Sequence, residues 1–305
     1  MTKFKVKKPE EYSFNDILFN KSDFIGTITI NRPQAYNAYT LNTLYEMIEA
    51  IEDLIWDDNI AVIVITGSGD KAFSTGGDVK EYASDYITHP EEFWKWMGIF
   101  TRFHDLIRNS GKPVIARLNG MVAGGGNEIN LSCDLAIAAE HVTIRQVGTS
   151  VGSVAAGGAT KFLPLFLGDR RAREMLLLNE PVSAEKALEW GLVNYVVPAE
   201  ELDSKVNEIA QKLVDKFPEC TRYTKQQLNF WRDFAWNMTI GHAKEWLTLH
   251  FGSEETYEGM QGFVEKRKPD YIKIRKGINT LQCLNCGSNN IPKEYKYCGN
   301  CGNKL

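Results

Sequence analysis

This sequence predicts an α/β domain followed by a small metal-binding tail, on three observations. Short apolar runs end in glycine-rich turns, helix-period segments alternate with them, and four of the six cysteines fall within the last 23 residues. Alternating strands and helices argue for an α/β domain with βαβ units. The two most informative turns are Ser74-Thr75-Gly76-Gly77-Asp78 and Gly124-Gly125-Gly126-Asn127-Glu128, about fifty residues apart. The first follows Ala61–Ile65 and Asp70–Phe73, and the second follows Pro113–Gly120. Glycines at such strand ends leave backbone N–H groups open to a ligand. Two N–H groups aimed at one oxygen form an oxyanion hole, which stabilises the enolate of a thioester as it forms. Glu128, three residues past Gly125, offers a carboxylate for proton handling.

Taken in order, the chain opens with an entry segment and a strand at Ile25–Ile30. A helix follows, carrying Leu44, Met47, Ile48, Ile51 and Leu54 at spacings of three and four. Glu92–Arg108 reads as a long amphipathic helix whose aromatics, Phe93, Trp94, Trp96, Phe100 and Phe103, are assigned to the core. Leu131–Ala139 reads as a further strand, and Ala199–Phe217 and Tyr223–His250 as later helices. Residues 265–278 are a basic stretch (Lys266, Arg267, Lys268, Lys273, Arg275, Lys276) leading into the cysteines. The expected division is a main domain over 1–264, a basic linker over 265–280 and a tail module over 281–305.

A chain of 305 residues buries one large core and carries an appendage. Its net charge of −4 exerts no global pull towards nucleic acid or membranes. No apolar run approaches the roughly 18 residues of a membrane span. Met1–Lys8 is basic without the apolar segment of a secretory signal. The expectation is a cytoplasmic protein with neither nucleic acid nor membrane as partner.

Cys133 and Cys220 stand alone, whereas Cys283-x-x-Cys286 and Cys298-x-x-Cys301 are separated by eleven residues. Disulfide frameworks are unusual in cytoplasm, and paired CxxC knuckles with glycine close by suit tetrahedral Zn²⁺. Four thiolates leave no open position, so this zinc is structural and supplies the fold of a tail too short for its own core. A redox dithiol is the alternative. The role expected of the ribbon is docking, to a neighbouring subunit or to a partner protein.

In order along the chain, six segments resemble the enoyl-CoA hydratase (crotonase) superfamily: Asn31–Ala38, Lys71–Lys80, Asn119–Glu128, Leu163–Ala172, Ser183–Val193 and Phe263–Lys268. The resemblance spans roughly residues 15–270. It implies a spiral of ββα units with C-terminal helices, assembled as a homotrimer or dimer of trimers, acting on acyl-CoA. It also implies that Gly77 and Gly125 supply the oxyanion hole and that Glu128 is the first of the hydratases' two glutamates. Lys80 matches a lysine holding coenzyme A phosphates, Phe263 and Lys266 match residues near its adenine and 3′-phosphate end, and Ala38 falls in a cofactor-binding segment. Asp78 is a catalytic candidate, to orient water or a substrate carbonyl, with a turn-capping role equally open, and Tyr82 is a further candidate to face the pocket.

One departure is decisive. Ordinary hydratases carry their second glutamate where this chain has Gly148, in Gln146-Val147-Gly148-Thr149-Ser150-Val151-Gly152-Ser153. That segment is similar to a subgroup acting on ring substrates, which includes 2-ketocyclohexanecarboxyl-CoA hydrolases, 6-oxocyclohex-1-ene-1-carbonyl-CoA hydrolases and dihydroxynaphthoyl-CoA synthases. The second gives the nearest look-alike stretches, although Val151 stands where those hydrolases usually have histidine and an insertion before the C-terminal helices is missing. The resemblance therefore implies water addition to, or hydrolytic opening of, a cyclic oxo- or enoyl-CoA. A conventional enoyl-CoA hydratase or isomerase is the first alternative. A CoA-binding scaffold with a protein-docking zinc ribbon is the second.

Overall fold

The computed structural model describes residues 6–275, 280–288, 291–293 and 295–305. Strands β1 (Ile17–Ser22) and β2 (Ile25–Ile30) form a hairpin. Helix α1 (Leu41–Trp56) follows, its first turn capped by the Thr40 hydroxyl, which accepts from the Thr43 N–H at 3.3 Å. All five apolar residues expected on its inner face are buried.

From there the chain repeats one move three times. A strand enters a large sheet, a short second strand enters a smaller sheet, and a helix follows. The first repeat is β3 (Val62–Gly67), β4 (Ala72–Ser74), then the short turn α2 (Val79–Glu81) and α3 (Pro90–Asn109). The second is β5 (Val114–Leu118), β6 (Met121–Ala123) and α4 (Gly125–Ser132). The third is β7 (Leu135–Ala139), β8 (Thr143–Arg145) and α5 (Ala159–Leu167). This is the expected spiral of ββα units.

After α6 (Asp169–Leu178), β9 (Val182–Ser183) and α7 (Ala184–Trp190), β10 (Tyr195–Val197) closes the large sheet. Its order is β1-β2-β3-β5-β7-β10, parallel except for the β1–β2 hairpin. The small sheet runs β4-β6-β8-β9, with only β9 antiparallel. Every residue of β3 is buried, as a strand covered on both faces requires.

Helices α8 (Leu202–Val214), α9 (Pro218–His250) and α10 (Glu254–Val264) complete the body. Helix α9 packs on α3 and α10 on α2, so the C-terminal helices fold back over the first repeat. Residues beyond α10 return to the body as well. Arg267 pairs with Glu258 and Glu265, the Asp270 N–H donates to Glu258 at 2.7 Å, and Tyr271, opening α11 (Tyr271–Arg275), donates to the Ser150 carbonyl at 2.9 Å. Lys276 lies outside the described residues.

Three sequence expectations need correction. The strand begins at Leu135 rather than Leu131, because α4 runs through Ser132, whose hydroxyl donates back to the Glu128 carbonyl at 2.9 Å. The last long helix starts at Pro218 rather than Tyr223, since proline at the first helical position loses no hydrogen bond. Trp94 is exposed, off the stripe formed by Phe93, Trp96, Phe100 and Phe103, and the Lys244 ammonium sits 3.6 Å over its ring.

Candidate functional site

The two glycine turns meet. β4 and β6 are parallel neighbours, so the turns that follow them emerge side by side. A Cβ at Gly76 would lie 2.7 Å from the Gly125 nitrogen, which measures how closely the turns approach. Gly76 (φ +92°) and Gly124 (φ +52°) both sit in the left-handed region, where a side chain would be strained. Gly77 and Gly125 come next. Neither N–H is engaged by a turn or loop hydrogen bond among the described residues, and both residues line the same pocket. Gly125 is also the first residue of α4, so the positive end of that helix faces the cavity.

Two phenols stand over these amides. A Cβ at Gly77 would fall 1.7 Å from the Tyr82 hydroxyl oxygen, and one at Gly125 would fall 1.9 Å from that of Tyr39. Tyr39 is fixed by the first turn: its N–H donates to the Gly76 carbonyl and its own carbonyl accepts from the Asp78 N–H, both at 2.9 Å. Burial pushes both hydroxyls well above the usual phenol range; the Glu128 charge adds to this at Tyr39, and the Tyr39, Glu81 and Glu128 charges do so at Tyr82. Both therefore remain protonated donors. Tyr82 was expected to face the pocket; Tyr39 was missed, because nothing local marks a tyrosine 86 residues before Gly125.

Glu128 is 5 % exposed and is the only carboxylate lining the pocket among the described residues. Its Oε1 accepts from the Ala159 N–H at 3.2 Å, and the Gly157 N–H also faces it. The Gly157-Gly158-Ala159 turn is its seat: a Cβ at Gly157 would lie 2.6 Å from Glu128 Oε2. Burial raises the carboxyl most, while Ala159, the Lys161 charge and Gly157 pull it down, leaving it at about 7. Lys161, itself lowered by burial, anchors the same loop by donating to the Ala156 carbonyl at 2.8 Å. A carboxyl poised near neutrality suits proton transfer in either direction.

Asp78 goes elsewhere. Its carboxylate accepts from the Lys80 N–H at 3.0 Å, capping α2, and pairs with Arg32 at 3.0 Å, and it does not line the pocket. Of the two roles open in the sequence, the structure gives it the capping one. Arg32 also donates to the Ala38 carbonyl, so that group is already engaged. Lys80 is exposed on α2, and Phe263 and Lys266 lie exposed at the end of α10, which packs on α2. None of the three lines this pocket.

The walls are apolar and come from the long helices: Phe93, Trp96 and Phe100 of α3, Leu247 of α9, Phe251 just past its end, and Met260 of α10. Phe93 and Phe251 stack at 3.5 Å. The α3 aromatics are thus both core and pocket wall. The cavity measures about 110 Å³. That is on the order of one six-membered ring, since a dry cavity of about 150 Å³ takes benzene.

At Gly148, a Cβ would meet the Ser153 carbonyl at 2.9 Å and the Ala155 nitrogen at 3.3 Å. The backbone of 153–155 fills the start of any side chain there, so the missing glutamate is built into the loop's path. Gln146, two residues earlier, is 1 % exposed, and neither atom of its amide has a hydrogen-bond partner among the described residues.

In the tail, the four cysteine sulfurs lie within 4.8 Å of one another, with Cys283–Cys301 at 3.6 Å and Cys286–Cys298 at 3.7 Å. A tetrahedral site with Zn–S of about 2.3 Å needs sulfurs about 3.8 Å apart, so the set fits a small zinc site. The two knuckles match: the Gly287 N–H donates to the Cys283 carbonyl and the Gly302 N–H to the Cys298 carbonyl, both at 2.8 Å. Strands β11 (Thr280–Leu281) and β12 (Ile291–Pro292) pair antiparallel beside them.

Comparison with known proteins agrees with this geometry. Residues 20–273 match the family profile described as Enoyl-CoA hydratase/isomerase. A 6-oxocyclohex-1-ene-1-carbonyl-CoA hydrolase of Geobacter metallireducens is 32 % identical, over 82 % of this chain and 80 % of its own. Among solved structures, an enoyl-CoA hydratase from Mycobacterium avium subsp. paratuberculosis superposes with TM-score 0.77 at 26 % identity, covering 85 % of this chain and 99 % of that one. A carnitinyl-CoA hydratase from Mycobacterium avium gives 0.72 at 29 % identity, covering 84 % and 98 %.

Proposed function

We propose, from the premise that the chain belongs to the enoyl-CoA hydratase/isomerase family, that it adds water to, or hydrolytically opens, a cyclic oxo- or enoyl-CoA. The observation that carries this reading is a single pocket carboxylate, Glu128, poised at about 7 beside two free glycine amides, with Gly148 where hydratases place a second glutamate. The thioester oxygen sits between the Gly77 and Gly125 N–H groups. Glu128 takes a proton from water as it attacks the ring ketone. Where the ring carries an α,β double bond, a first water has already added at the β-carbon and the α-carbon has taken up a proton. The bond from the ketone carbon to that saturated α-carbon then breaks, and its electron pair becomes the enolate held by the two amides. Glu128 returns the proton to the α-carbon, and the ketone carbon leaves as a carboxylic acid. In the hydration variant, the attack falls on the β-carbon and the same enolate forms. The ring-sized cavity and the similarity to the Geobacter hydrolase support the reading.

A conventional hydratase or isomerase is the second reading, favoured by the solved structures this chain resembles. The test is incubation with 6-oxocyclohex-1-ene-1-carbonyl-CoA and with crotonyl-CoA. The first is expected to react; turnover of crotonyl-CoA alone overturns ring opening. Unchanged turnover when Glu128 is replaced by Gln overturns its assignment as acid/base, and turnover of neither thioester by the intact protein returns the chain to the scaffold class.

Lys80, Phe263 and Lys266 are proposed to hold the coenzyme A moiety, in a homotrimer or dimer of trimers. Arg267 adds little to that charge, because Glu258 and Glu265 already pair with it. The tail is proposed to hold one structural Zn²⁺ on Cys283, Cys286, Cys298 and Cys301, and to dock a subunit or partner protein. Elemental analysis of the intact protein should find close to one zinc per chain, and Cys298→Ser should abolish it; an intact protein without zinc rejects the site. Unchanged CoA affinity and oligomer mass after removal of residues beyond 277 assign the ribbon to an outside partner.

A further inference from the structure

Gln146 follows β8, which pairs in register with β6, so its side chain is delivered beside Gly124 and the oxyanion turn. It lines the acyl pocket together with Gly125 and Glu128. It also borders a second cavity of about 380 Å³, which shares Gln146, Gly148, Val154 and Ala155 with the first. At 1 % exposure, both the carbonyl and the amino end of its amide lack a partner among the described residues. Burying an amide without hydrogen bonds costs several kcal/mol on hydrocarbon-based scales and about 1–3 from protein mutations. Nearly all buried polar groups are satisfied for that reason. Val147, Val154 and Ala155 line the same pocket, and its polar members Thr75, Glu128 and Ser153 make no hydrogen bond to the amide.

We propose that the Gln146 carboxamide recognises an oxygen substituent on the acyl part of the substrate, a ring ketone or a hydroxyl. This rests on the acyl-CoA reading of the pocket. The amino end donates to a ketone; the carbonyl end accepts from a hydroxyl, so the same residue serves a ketone and the alcohol formed by hydration. Gly148 belongs to the same arrangement. Its lack of a side chain lets the backbone of 153–155 pack close, and that backbone lines the two cavities that Gln146 borders.

The test compares 6-oxocyclohex-1-ene-1-carbonyl-CoA with its deoxy analogue, cyclohex-1-ene-1-carbonyl-CoA. Binding is measured calorimetrically in a Glu128→Gln background, so that neither thioester is consumed. Adding Gln146→Met, which keeps the length and removes both hydrogen bonds, should weaken the oxo thioester on the order of 10- to 100-fold, the loss expected when a buried hydrogen bond is deleted. The deoxy thioester should change by less than about threefold, and this also shows that the pocket is intact. Equal loss for both, or loss for neither, overturns the proposal, since an amide satisfied by a resident water or serving only to prop Gly124 cannot tell the two apart. If the enzyme with Glu128 intact fails to turn over the oxo thioester while the affinity split persists, ring opening falls and the role of Gln146 stands. If turnover occurs without a split, the role of Gln146 alone falls.

Discussion

Glu128→Gln should lower kcat at least about 100-fold and leave thioester affinity within about threefold. The substitution keeps the volume and an acceptor for the Ala159 N–H, which lies 3.2 Å from Oε1, so the Gly157–Ala159 seat has no reason to move. Only the ability to take up and return a proton is lost. No second carboxylate lines the pocket among the described residues, and the two tyrosines there are held protonated by burial, so no neighbour substitutes as base. The pH profile carries the sign. In the proposed mechanism Glu128 acts first as base and must be ionised, so kcat/KM should rise with pH through a midpoint near 7, where burial sets the group. Lys161, Tyr39 and Tyr82 are the other titratable groups set around this carboxyl, and neither phenol ionises in that range. The Gln variant's residual rate should lose the inflection. A retained inflection assigns the base to another group.

Gly125→Ala should cost on the order of 10²–10³ in kcat, the range measured when one oxyanion donor is lost. The added methyl would stand 1.9 Å from the Tyr39 hydroxyl and 3.3 Å from Gly76 Cα. Tyr39 is buried and bonded through its backbone to the first turn, so it cannot step aside without pulling Gly76 and Asp78 with it. The clash therefore moves the donors themselves. Combining Gly125→Ala with Tyr39→Phe should recover part of the rate by removing the hydroxyl. Steady-state kinetics on the reactive thioester reads both, and near-normal kcat in the single variant means that the Gly125 N–H does not hold the enolate.

What the sequence disclosed were features whose meaning is local. Glycines at strand ends, a carboxylate on the following turn and paired CxxC knuckles are each legible within a short stretch of chain, and the structure brings the first two together and converges the third. What stayed hidden depends on partners far along the chain. Tyr39 matters because it lies over Gly125; Gly157 and Ala159 matter because they cradle Glu128; a tyrosine, a glycine or an alanine reads the same anywhere in a sequence. Asp78 illustrates the converse. Its place inside the motif suggested chemistry, yet Arg32, 46 residues earlier, claims its carboxylate. Helical periodicity placed Phe93, Trp96 and Phe100 in the core, but it carries no information about whether a buried face ends on protein or on ligand.

The folding back of the C-terminal helices has a consequence for the pocket. Leu247, Phe251 and Met260 line this chain's pocket opposite α3. The lining therefore joins the first repeat to the last helices, and a substitution late in the sequence can reshape the space beside Glu128.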